Sequence, residues 1–108
     1  MDIAFEPIQV RTKKGSDQVR FVVWSMRFIC EGYDNTSVGE TLLPDPIDDN
    51  YLPIEEVDNE TLKKWVIAAE GGDEFLNQLL DFHSSRAEFI QEVESLDVYL
   101  DNTKEYGA

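Results

Sequence analysis

Positive charge is scarce in this chain. Nine lysines and arginines stand against 23 aspartates and glutamates in 108 residues, a formal net charge of -14. A nucleic-acid backbone or an anionic membrane is held by basic surfaces, so direct electrostatic binding to either is disfavoured. There is one cysteine, Cys30, which excludes an internal disulfide and is compatible with a reducing compartment. It has no assignable base or cation nearby to activate its thiol, so it reads as a small apolar side chain. Histidine is equally rare, with His83 alone, next to the apolar stripe of the last helix. Hydrolase elbows, phosphate-binding glycine loops and zinc patterns are missing, so no enzyme, cofactor or metal is expected. No run approaches the roughly 18 apolar residues of a membrane span. The opening MDIAFEPIQV lacks the basic region and apolar run of a signal peptide.

What is present suffices for one core. Hydrophobic residues make up 42% of the chain and aromatic residues 11%, a composition of folded domains. The length fits one domain.

The first half reads as strands. Ile3, Phe5, Ile8 and Val10 form an apolar-rich strand that Pro7 confines to an edge or a bulge. The polar turn RTKKGSDQ predicts a hairpin into residues 19–30. There, alternation puts Trp24, Met26 and Phe28 on one face, with Phe21, Val23 and Ile29 on the other. The Trp24 file is either core or an open contact surface. EGYDN reads as a turn, and residues 36–43 as a third strand. Gly39 within it signals a bulge, close packing or weakness. Pro44, Pro46 and Pro53 mark the following segment as an ordered connector.

The second half reads as helices. Asp58 is a cap, with Val57 and Leu62 placed as a hydrophobic staple. Leu62, Trp65, Val66 and Ala69 share a face, and Gly71 suits the position after the helix end. Asp73 is expected to cap a second helix running to about residue 96, on which Phe75, Leu79, Phe82, Phe89, Val93 and Leu96 form a stripe. Leu76, Leu80, Ala87 and Ile90 widen it. Ser84 and Ser85 would permit a kink, and a helix this long could present its distal turns to a partner. Residues 101–108 are expected to fray. The fold class is therefore α+β: a single acidic domain, residues 1–108, with a three-stranded antiparallel meander packed against two C-terminal helices, the last one long.

Charge is patterned as well as lopsided. Residues 31–60 hold ten acids and no lysine or arginine. Either this is a solvated surface or it docks a basic partner. The candidate protein-binding residues are Trp24, Met26, Phe28, Glu31, Asp34, Asp45, Asp48, Asp49, Glu55 and Glu56. Asp45, Asp48, Asp49 and Asn50 offer oxygen ligands to calcium, but without the helix–loop–helix spacing.

The motifs VVW at 22–24, the glycine-bearing strand around Gly39, YLPIEEV at 51–57, ETLKKWV at 60–66 and the acidic-headed helix from Asp73 together resemble a family of small uncharacterised proteins of tailed bacteriophages. The resemblance covers about residues 18–95 and carries over no active site. It implies a viral source, residence in the host cytoplasm during infection, and a virion or assembly context. The expected function is that of a noncatalytic accessory structural or assembly protein. It would bind a basic surface or a repeated phage protein, with a homo-oligomer as a further partner state. The alternative is an acidic inhibitor whose carboxylates imitate phosphates and block a host DNA-binding enzyme.

Overall fold

The computed structural model of the chain describes residues 1–44 and 52–102. Three strands, β1 (Asp2–Thr12), β2 (Val19–Cys30) and β3 (Tyr33–Leu42), form an antiparallel sheet in the order β1-β2-β3. A short 3-10 turn at Ile54–Glu56 leads to α1 (Asn59–Glu70) and α2 (Asp73–Glu94). This is the expected meander and helix pair.

The details follow from local chemistry. In β1 the register slips between Pro7 and Gln9, leaving Ile8 exposed. A proline cannot donate to a ladder, and the bulge falls beside it on an edge strand. The β2–β3 reversal is tighter than EGYDN suggested. Cys30 pairs with Tyr33, and Gly32 takes a φ of 73° in the two-residue turn. Tyr33, Asp34 and Asn35 therefore belong to β3.

The even-numbered residues of β2 face the helices. Val22, Trp24, Met26 and Phe28 are buried there, while Phe21, Val23 and Ile29 are only half-buried on the other face. α1 packs on β1 and β3, and α2 packs on β2 and β3. Asp58 caps α1 by accepting from the Thr61 amide at 2.8 Å. That bond favours the ionised carboxylate and holds its pKa below the usual range. Leu62 and Val66 are buried and Trp65 is half-buried, but Ala69 is exposed. Gly71 closes α1 with a φ of 129°. Asp73 is not the cap of α2. Gly72, at φ 74°, takes that place with no side-chain bond, and Asp73 is the first helical residue. α2 then runs unbroken through Ser84 and Ser85.

Candidate functional site

Trp24, Met26 and Phe28 lie in the core, at 4%, 0% and 0% exposure, beneath the helices. They are therefore not an open contact surface. Their burial is tightly specified. Trp24 stands opposite Gly39, and a Cβ at that glycine would lie 2.3 Å from the indole ring. Of the three readings of Gly39, close packing is the one the geometry shows. The Trp24 indole Nε1 donates to Thr41 Oγ1 at 2.9 Å, and Thr41 Oγ1 donates to Glu70 Oε1 at 2.7 Å. This chain ties the end of α1 to β3.

His83 is buried where α2 crosses the sheet, stacked on Phe28 with ring centroids 4.0 Å apart. Nδ1 lies 2.6 Å from the Tyr33 hydroxyl and Nε2 lies 2.8 Å from Ser37 Oγ. One ring nitrogen donates and the other accepts, so either neutral tautomer is satisfied. Burial pushes the imidazole pKa below its usual value. A hydroxyl beside an imidazole is the beginning of a nucleophile–base pair. Here the third partner is the Tyr33 hydroxyl, and among the described residues no carboxylate bonds the ring to offset the desolvation of an imidazolium. The cluster acts as a polar stitch between α2 and β3. Sequence reasoning missed Tyr33 because EGYDN reads as a turn, and missed Ser37, already on the expected third strand, because nothing local pairs it with His83. A strand starting at Tyr33 places both residues on one face with period two.

Among the described residues, the acids of residues 31–60 do not gather on one face. Glu31 occupies the β2–β3 turn, and its carbonyl accepts from Gln91 Nε2 at 3.2 Å. Asp34 is exposed and forms an ion pair with Arg27 that holds its pKa below the usual carboxylate range. Asp34 and Glu40 are on the sheet face away from the helices. Glu55 and Glu56 are at the opposite end of β2, where the Ile54 amide donates to the Asp17 carbonyl. A twelve-residue strand spans about 36 Å, so the described acids are split between distant ends. Asp45, Asp48, Asp49 and Asn50 lie outside the described residues. Among the described residues no group of His, Cys, Asp and Glu is arranged to hold a metal, and no helix is long and apolar enough to cross a membrane.

Exposed apolar side chains lie on the sheet face away from the helices, where Val38 and Leu42 are exposed beside half-buried Phe21 and Val23, and in a longer aligned series on α2. The stripe that meets the sheet is Leu76, Leu80, His83, Ala87 and Ile90, spaced alternately by four and three. The neighbouring stripe begins half-buried at Phe75 and Leu79, then emerges at Phe82, Phe89 and Val93, which are 58%, 54% and 49% exposed. Successive residues turn by about 100° around a helix, so Phe82 points a quarter turn away from His83. Arg86 sits on the same ridge, its guanidinium 5.1 Å from the centre of the Phe89 ring. At Gln91 the helix reaches the end of the sheet. Beyond it Leu96, Val98, Tyr99 and Leu100 continue the exposed apolar series. The expected stripe was correct in period, but its distal half faces solvent, not the core.

Comparisons with protein-family models, curated proteins and solved structures gave no match to this chain.

Proposed function

We propose that this chain is a noncatalytic binding module that docks another protein along the distal half of α2. The observation that carries the reading is the ridge of Phe82, Phe89 and Val93, each about half exposed, on a helix whose other stripe already holds it to the sheet. A monomer gains little from three large apolar side chains aligned in water, and contiguous exposure of this kind marks interaction surfaces. Exposed carboxylates at Asp81, Glu88, Glu92 and Glu94 flank the ridge, so a basic partner is drawn to it and an acidic one repelled. An accessory role in a virion or its assembly, which the sequence motifs of residues 18–95 imply, belongs to the same proposal.

The test is affinity capture from infected cells with the wild-type chain and with a Phe89→Gln/Val93→Gln variant, which keeps charge and helix propensity. Recovery of a capsid or tail component by the wild type, lost with the variant, is the expected result. Equal recovery by both chains would remove the ridge from the account. Recovery of a host DNA enzyme in place of virion components would favour an acidic imitation of nucleic acid.

A further inference from the structure

We infer that the occupant of the α2 ridge is an amphipathic helix of another protein, with an apolar seam flanked by lysine or arginine. This rests on the binding-module reading and adds the partner's chemistry.

The shape of the site selects a helix. Phe82, Phe89 and Val93 stand at intervals of seven and four on α2, the spacing of a helix-packing seam. From Phe82 to Val93 the ridge extends about 16 Å at 1.5 Å per residue, which suits a partner of about three turns. An apolar helix surface of this form is matched by another helix laying its own i, i+3, i+4 and i+7 side chains against it. An added β-strand would instead require the free edge of β1 or β3, where the exposed side chains include Glu6, Asp34 and Glu40.

Charge selects between a foreign helix and a second copy. Residues 73–94 contain Asp73, Glu74, Asp81, Glu88, Glu92 and Glu94 against the single base Arg86. Pairing two copies of α2 would set two such acidic margins side by side on molecules that each carry a net charge of -14. Like charges facing across an interface are repulsive, whereas basic flanks on the partner would both relieve the repulsion and speed encounter. Arg86 does not reverse this balance, because it is a lone cation already lying over Phe89.

The experiment titrates the intact 108-residue chain into a fluorescently labelled leucine–lysine heptad peptide of about three heptads. A leucine–glutamate peptide of the same length is the control. The leucine–lysine peptide should bind the wild type, bind Phe89→Gln/Val93→Gln at least about tenfold more weakly, and bind Val38→Gln, altered on the opposite sheet face, as well as it binds the wild type. The leucine–glutamate peptide should not bind. Circular dichroism melts of all variants establish that the folds are intact.

Equal affinity for the wild type and the ridge variant would reduce the binding to adhesion of a cation to an acidic surface and overturn the inference. So would binding of both peptides alike, or a concentration-dependent dimer by native mass spectrometry that the ridge variant dissolves. If the peptide fails but capture from infected cells still depends on Phe89 and Val93, the partner is not a helix and the binding-module reading stands. If capture is indifferent to both residues, the two fall together.

Discussion

The Trp24 indole, the Thr41 hydroxyl and the Glu70 carboxylate show how single residues hold this fold. Thr41→Val keeps the shape of the side chain but leaves the buried indole N–H without an acceptor. An orphaned buried donor costs about 1–3 kcal/mol, and chemical denaturation should show a loss in that range. Gly39→Ala forces a methyl into the indole ring. Overpacking of this kind costs about 1–3 kcal/mol, visible as a lowered Tm. A neutral effect at both positions would mean that Trp24 does not pack as described. His83 gives a pH signature. Its folded pKa is depressed by burial, so below the unfolded value of about 6.5 the unfolded chain takes up a proton that the folded chain refuses. The stability it contributes is present above that pH and is lost as pH falls toward the lower folded value. A stability curve that declines from about pH 6.5 in the wild type, with the decline absent in His83→Phe, is the expected outcome.

Among the elements, the strands and helices were largely legible and their partners were not. Alternation in β2, the Pro7 interruption, the Asp58 cap and the Gly71 stop are local signals, and each appears in the structure. The direction of a helical stripe is not local. Phe82 and Phe89 follow Phe75 and Leu79 in perfect period, yet which of two adjacent stripes meets the sheet depends on where α2 crosses it. The same limit hid the Tyr33–His83–Ser37 cluster, whose members are 46 and 50 residues apart in sequence. Because the distal ridge contributes little to the core, Phe89→Gln/Val93→Gln should change the unfolding free energy by no more than about 0.5 kcal/mol, the usual scale for surface substitutions. A larger loss would place the ridge within the fold instead of on its surface.

At the scale of the whole molecule, the surface is larger than its mass requires. The accessible area is 8092 Å², against about 6,100 Å² for a compact monomer of 12.4 kDa. The radius of gyration is 18.8 Å, where about 13 Å is usual for this length. Extra surface combined with a net charge of -14 makes self-repulsion a global term in stability. Added sodium chloride screens that repulsion, so the thermal midpoint should rise with salt; a fall would show that local ion pairs such as Arg27–Asp34 outweigh it. Composition made the total charge legible but not its arrangement, since folding sent Glu31 and Glu55 to opposite ends of β2. The central claim is that the distal part of α2 is where a partner rests. Hydrogen-exchange mass spectrometry on the chain in complex with a partner that it captures tests it directly. Slowed exchange across residues 82–100, with the sheet unchanged, is the predicted result; protection confined to the sheet, or none on α2, would contradict it.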